Sequence, residues 1–340
     1  MNAKKIVPES SPNSKQVDDV DAVAMEWVVV PDLEEEFTAS LRRKDRSERT
    51  VRAYAGAVAD FRTWFEAHNP GQPCDPAHIT PLDVRSYRTH LRDERRLSVN
   101  TVNSYLAGLR AFCKWAQGAG HAQHDPTSGI KSLKVQRSAP KWLEASDQYA
   151  LLRAAEQAVQ LGDLRAGGEA DAPGAIWSRR DRALVVFMLN SGLRLSEVAA
   201  LTLDDITIRP RSGWVDVRAG KGSKARRVEL NKDARKALSE WLAVRPEEEG
   251  CAALWISQKG GALSKRALSG RITVLGEAAG LDIHPHTLRH SFAKNLVRAG
   301  VGLEVVADLL GHENLDTTRI YTTPSAADRQ AAVEKVRWAD

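Results

Sequence analysis

The stretch His284-Pro285-His286-Thr287-Leu288-Arg289-His290-Ser291-Phe292 decides how this chain is read. After one amphipathic segment it is followed by Leu309-Leu310-Gly311-His312-Glu313-Asn314-Leu315-Asp316-Thr317-Thr318-Arg319-Ile320-Tyr321. It sets His286, Arg289, His312 and Tyr321 within one short span. An arginine offers a planar fork of donors suited to a phosphate, and a tyrosine hydroxyl can serve as a nucleophile. Alone, two histidines, an arginine and a tyrosine prove little. The block gains weight from two segments upstream. In Leu189-Asn190-Ser191-Gly192-Leu193-Arg194-Leu195-Ser196-Glu197, an apolar helix ends at a glycine and Arg194 opens the next turn. In Trp214–Arg218 and Arg226–Leu230, two strand-like runs flank Gly220-Lys221-Gly222-Ser223-Lys224, a hairpin with a lysine at its tip.

Taken together and in this order, these motifs resemble the signature of the tyrosine recombinases, the phage-integrase and Xer-like family. The resemblance covers residues 35–323, and the combination is specific where each piece alone is not. It implies an α-helical N-terminal core-binding (SAM-like) domain and a mainly α catalytic domain with a small β-sheet. It also implies roles. Arg194 and Arg289 bind a scissile phosphate with help from His312, and His286 handles the proton of the nucleophile Tyr321. Lys221, with Lys224 as rival, protonates the leaving oxygen, and Glu197 orients the site. Asn190 stands where a threonine is commoner in the family, with little expected effect. His290 reads as a structural hydrogen bonder, and His284 lies outside the motif.

The residue types support that chemistry independently. Tyrosine has a pKa of about 10, so at neutral pH it attacks only as its proton is removed. Phosphoryl transfer needs positive charge on the non-bridging oxygens, which two arginines supply in bidentate geometry. The sequence shows neither an obvious carboxylate cluster for Mg²⁺ nor a Walker-type loop, so the expectation is a reaction without metal, cofactor or ATP. A covalent phosphotyrosine would conserve the energy of the broken bond.

Working outward, 340 residues allow about two domains. The 49 Lys+Arg exceed the 44 Asp+Glu, a mild excess that fits a polyanion without demanding one. Cys74, Cys113 and Cys251 are far apart and form no CxxC pair, which argues against a disulfide framework or zinc site. With no membrane-length apolar run and no signal-peptide core, the chain reads as cytoplasmic.

Residues 1–28 are polar and read as a mobile tail. Residues 29–128 read as a four-helix domain, which the resemblance implies is the core DNA-binding domain. Its clearest helix, 48–67, repeats Val51, Tyr54, Val58, Phe61 and Phe65 behind an N-capping Ser47. A second helix starts at Thr80-Pro81-Leu82-Asp83, and the last opens at Ser98 with Asn103, Arg110 and Lys114 on its polar side. A basic linker spans 129–143, where Lys131 and Lys134 suit phosphate contact. The catalytic domain runs over 144–323, with a Gly/Ala-rich break at 162–174 and a short extra strand at 254–256. Lys265, Arg266 and Arg271, behind the capping Ser264, are candidate DNA readers by position, as are Arg110 and Lys114. Residues 324–340 suggest a terminal helix that, by resemblance, docks on a neighbouring protomer. The resulting expectation is a site-specific recombinase acting as a tetramer on double-stranded DNA with paired inverted-repeat half-sites. A monomeric type IB topoisomerase-like enzyme shares the chemistry, and a DNA-binding regulator on the same scaffold would not require Tyr321.

Overall fold

The computed structural model describes residues 33–135, 141–167, 172–218, 225–312, 316–322, 329–330 and 333–334. The proposed tail 1–28, the hairpin tip with Lys221 and Lys224, and most of 324–340 lie outside the described residues. The chain divides into two compact units, one ending at Val135 and the other starting at Gln136.

The first unit is four helices: α1 (Leu33–Arg43), α2 (Glu48–His68), α3 (Pro81–Thr89) and α4 (Val99–Ala119). Their starts follow from capping chemistry. Ser47 Oγ accepts from the Thr50 amide at 3.1 Å, and Ser98 Oγ accepts from Thr101 at 3.2 Å. Thr80 and Asp83 form a reciprocal box, with Pro81 at the first helical position. After α3 the chain widens into one π-helical turn, His90–Glu94. The core holds Phe37, Val58, Phe61, Phe65, Tyr87, Leu106 and Phe112. Gly108 lets α4 approach α2, because a Cβ there would sit 2.7 Å from the Cβ of Ala57. Residues 129–135, read from sequence as linker, lie along this unit. Ile130 is buried in its core, Arg110 donates to the Ile130 carbonyl at 2.8 Å, and Asn103 exchanges two hydrogen bonds with the Leu133 backbone.

In the second unit, α5 (Ala145–Arg165) and α6 (Pro173–Ser191) pack as neighbours, with α6 at the centre. Ala183, Leu184, Val185 and Phe187 of α6 are all fully buried. The helices extend further than expected, α5 running through Gly162 to Arg165 and α6 starting at Pro173. Gly162 lies inside α5, where a Cβ would meet the Gly174 carbonyl oxygen at 2.7 Å. The short α7 (Leu195–Ala200) leads to an antiparallel sheet in the order β1 (Ile206–Ile208), β2 (Gly213–Val217), β3 (Arg226–Glu229). The register pairs Ile206 with Val215 and Val215 with Val228. Val215, Val217 and Val228 face the core. On the opposite face Arg227 pairs with Asp216 at 2.8 Å and lies over the Trp214 ring. Then come α8 (Lys232–Val244), α9 (Lys265–Ala278), α10 (Pro285–Arg298), α11 (Leu303–Leu310), α12 (Asp316–Arg319) and a 3₁₀ turn, Ile320–Thr322. The segment 254–256 makes only an isolated bridge, through Ile256, and does not join the sheet; its side chains are buried instead. Among the described residues, no helix is long and apolar enough to cross a membrane.

Candidate active site

The site forms where the C-terminal end of α11 meets three arginines from distant parts of the chain. A helix leaves its last carbonyls without partners and carries partial negative charge at that end. Here three consecutive carbonyls each accept from a different guanidinium. Leu309 O receives Arg226 Nε at 3.0 Å, Leu310 O receives Arg289 Nη2 at 2.7 Å, and Gly311 O receives Arg194 Nη2 at 2.9 Å. Arg289 also donates to Gly192 O at 2.6 Å. Two of its five N–H groups are thus engaged with backbone, and among the described residues it has no carboxylate partner.

Two left-handed glycines set this geometry. Gly192, at φ 62°, ends α6 and turns the chain into Arg194; a Cβ there would collide with the Phe292 ring. Gly311, at φ 63°, ends α11, and a Cβ would sit 2.8 Å from Arg226 Nη1. Both positions demand the absence of a side chain as well as the positive φ.

Glu197 ties two of the arginines together. Its carboxylate accepts from the Arg194 backbone N–H at 2.7 Å and from Arg194 Nη1 at 3.0 Å. Arg226 grips it with Nη1 at 3.0 Å and Nη2 at 2.9 Å. Burial works to raise the Glu197 pKa, but the hydrogen bonds from Arg226 and Arg194 outweigh it and hold the group below the usual carboxylate range. Burial and the charge of Arg194 push Arg289 down to about 10, so it stays charged at neutral pH. The result is three guanidiniums against one carboxylate, a site with surplus positive charge.

The histidines feel that charge. His286, on the first turn of α10, has its pKa lowered by burial, then by Arg289 and Arg194. His312 follows Gly311 and exchanges a 2.9 Å hydrogen bond through Nδ1 with the buried Thr318 hydroxyl. Burial and neighbouring arginines push it down to about 4. Both rings are therefore neutral near pH 7.

Tyr321 is 1% exposed. Its ring belongs to a small apolar cluster with Ala293, Val306 and Leu310, flanked by Phe292, Leu296 and Ile320. Burial raises its pKa, opposed by Arg289. Its hydroxyl lies 2.7 Å from His290 Nδ1. Burial, then His286 and Arg289, push His290 down to about 4, so the ring is neutral, and in the tautomer with its hydrogen on Nε2 the tyrosine donates to Nδ1.

Arg194, Glu197, His286, Arg289, His312 and Tyr321 thus occur around one helix end. Lys221 lies outside the described residues. Arg226 and His290 were not singled out for the site from sequence. Strand alternation could have flagged Arg226, because it shares a face with the buried Val228. Of the candidate DNA-contacting residues, Lys114, Lys131, Lys134, Lys265 and Arg266 are exposed, and Arg110 is engaged with the Ile130 carbonyl.

Two family models match the chain: "Phage integrase, N-terminal SAM-like domain" over residues 33–119 and "Phage integrase family" over residues 169–328. The chain is 36% identical over 259 residues to the tyrosine recombinase XerC of Pseudomonas syringae pv. syringae (strain B728a), covering 73% of this chain and 79% of that one. It is 32% identical to the XerC of Pseudomonas putida (strain KT2440), covering 85% of this chain and 90% of that one. Among solved structures it resembles the XerH site-specific recombinase bound to a palindromic difH substrate, with TM-score 0.68 and 21% identity over 88% of this chain and 84% of that one. It also resembles a lambda integrase dimer bound to a core site, with TM-score 0.62 and 14% identity over 91% and 97%.

Proposed function

Because the chain belongs to the tyrosine recombinase (phage integrase) family and is a site-specific recombinase, we propose that it cuts and rejoins double-stranded DNA through a 3′-phosphotyrosine at Tyr321. The observation that carries this reading is the surplus positive charge, Arg194, Arg226 and Arg289 against Glu197, gathered in the same site as a tyrosine hydroxyl hydrogen-bonded to a neutral imidazole. A scissile phosphate is an anion that such an excess of guanidinium charge would hold.

Tyr321 Oη attacks phosphorus and the bond to the 5′ oxygen breaks. Arg194 and Arg289 hold the non-bridging oxygens, whose charge grows in the transition state, with His312 as an added donor. An imidazole of α10 takes the phenolic proton, and Lys221 returns one to the departing 5′ oxygen. Guanidiniums provide the electrostatic stabilisation, so the step needs no metal. The phosphotyrosine conserves the energy of the broken bond, so rejoining needs no ATP. Four protomers acting on two sites built of inverted half-sites, in the cytoplasm, complete the reading. Residues 29–128 serve as the core DNA-binding domain, 144–323 as the catalytic domain, and 324–340 as the segment exchanged between protomers.

The test uses a site recovered from random duplexes by binding to the full chain, then nicked so that cleavage cannot reverse. The parent should form a covalent protein–DNA adduct in EDTA without ATP. Tyr321→Phe should bind the duplex and form none; an adduct from that variant removes Tyr321 from the role.

A further inference from the structure

We propose that His290, through Nδ1, is the base that takes the proton from Tyr321 as it attacks, a proposal that rests on the tyrosine reading above. His286, His290 and Lys294 lie four residues apart along α10 and so form one stripe on that helix. Tyr321 is attached to this stripe at two points. Its hydroxyl meets His290 Nδ1 at 2.7 Å, and its backbone carbonyl accepts from the buried Lys294 Nζ at 3.4 Å. The rings of His290 and Tyr321 lie 5.5 Å apart, in contact, and the His286 ring lies 6.3 Å from that of His290. The stripe thus runs from the arginine end at His286 to the tyrosine at His290. A nucleophile whose hydroxyl and backbone are both held by α10 keeps its acceptor beside it.

The base needs a neutral imidazole with its hydrogen on Nε2 and a free lone pair on Nδ1. The charged and titratable groups around His290 are His286, Arg289, Lys294, His312 and Tyr321, and burial first, then His286 and Arg289, keep the ring neutral before DNA arrives. Arrival of a phosphate among the guanidiniums offsets the part of this shift that Arg289 contributes, so the ring gains proton affinity with substrate in place. In the forward step the Oη–H proton passes to Nδ1, the Oη–P bond forms and the P–O5′ bond breaks. The electron pair stays on the 5′ oxygen, which is protonated from the hairpin lysine. In rejoining, the 5′ hydroxyl attacks phosphorus and gives up its proton to the hairpin lysine, the P–Oη bond breaks, and the His290 imidazolium returns its proton to the departing phenolic oxygen of Tyr321.

The experiment compares parent, His290→Asn, His290→Ala and His286→Asn in single-turnover cleavage of the nicked selected site across pH. Duplex affinity and melting temperature are measured alongside. Asparagine can accept a hydrogen bond near the Nδ1 position but cannot hold the proton. His290→Asn should bind DNA within a few-fold of the parent and cleave about 10²-fold slower or worse near neutrality. Its rate should then climb about tenfold per pH unit toward the pKa of Tyr321, which burial holds above the ordinary tyrosine value of about 10, because hydroxide must do the imidazole's work. Added imidazole should restore part of the cleavage by His290→Ala. The proposal is overturned if His290→Asn cleaves within about threefold of the parent with the same acid limb. It is equally overturned if the acid limb disappears in His286→Asn and persists in His290→Asn. If the parent adduct maps to a residue other than Tyr321, the tyrosine reading fails first and the base assignment falls with it.

Discussion

Replacing Arg226 with methionine removes the one side chain that joins Glu197, the C-terminal end of α11 and the base of the hairpin. Methionine keeps the apolar stem, so the cavity contribution is small. What is lost is a two-pronged bond to Glu197 at 3.0 and 2.9 Å and a bond to Leu309 O at 3.0 Å, from a side chain only 7% exposed. Breaking one side of a buried ion pair costs about 3–5 kcal/mol, because the remaining charge stays desolvated. Glu197 retains the Arg194 guanidinium and backbone N–H, which places the loss at the lower end, about 3 kcal/mol. For a unit of this size each kcal/mol shifts the melting temperature by roughly 2–4 °C, so Arg226→Met should melt about 6–12 °C lower at pH 7. The pH dependence carries a sign. Glu197 has a folded pKa below its unfolded value near 4.3, so its contribution is complete above that pH and lost as pH falls through the folded value. The gap between parent and variant should therefore narrow as pH drops below about 4. Scanning calorimetry from pH 7 down to the acid limit of reversible folding reads both effects. A variant melting within about 1 °C of the parent, or a gap that stays constant into acid, would refute the assignment of Glu197 and Arg226 as a coupled buried pair.

Gly192→Ala combines a left-handed backbone with overlap against Phe292, so urea denaturation should show a loss of about 2–4 kcal/mol. Arg194→Lys and Arg289→Lys keep the charge but lose the fork that reaches carbonyl and phosphate together; single-turnover cleavage should fall by about 10²-fold or more while duplex affinity changes far less. Lys221→Ala should be defective on ordinary DNA yet recover on a substrate with sulfur at the 5′ bridging position, because a thiolate leaves with a conjugate-acid pKa near about 8.5 and scarcely needs a proton. Recovery in Lys224→Ala instead would assign the acid to Lys224.

The parts of the molecule legible in the sequence are those governed by local rules. The apolar spacing of α2, the Thr80–Asp83 box and the glycines at 192 and 311 each announce a start or a stop from neighbouring residues. Arg194, Glu197, His286, Arg289, His312 and Tyr321, which gather at the end of α11, were picked out by motif order, which names residues but not their orientation. Arg226 shows the limit: its partners are 29 residues before it and 83 after it, and adjacent Arg227 looks the same in sequence. Only the pleat separates them, sending Arg226 inward beside Val228 and Arg227 outward to Asp216. Asn103 and Arg110 read as a polar helix face because the segment they hold, 130–133, returns from beyond the end of α4. β1, three residues long, is too short for alternation to register.

The central claim is that Tyr321 becomes joined to DNA in a site powered by arginine charge. Its most direct measurement is the mass spectrum of the covalent complex, formed on the nicked selected duplex in EDTA without ATP and digested with trypsin and nuclease. The account predicts a nucleotide 3′-phosphate attached to the peptide that carries Tyr321, with fragment ions placing it on the phenolic oxygen. A nucleotide on any other residue, attachment through a 5′-phosphate, or strand cleavage that leaves no protein-bound nucleotide would contradict it.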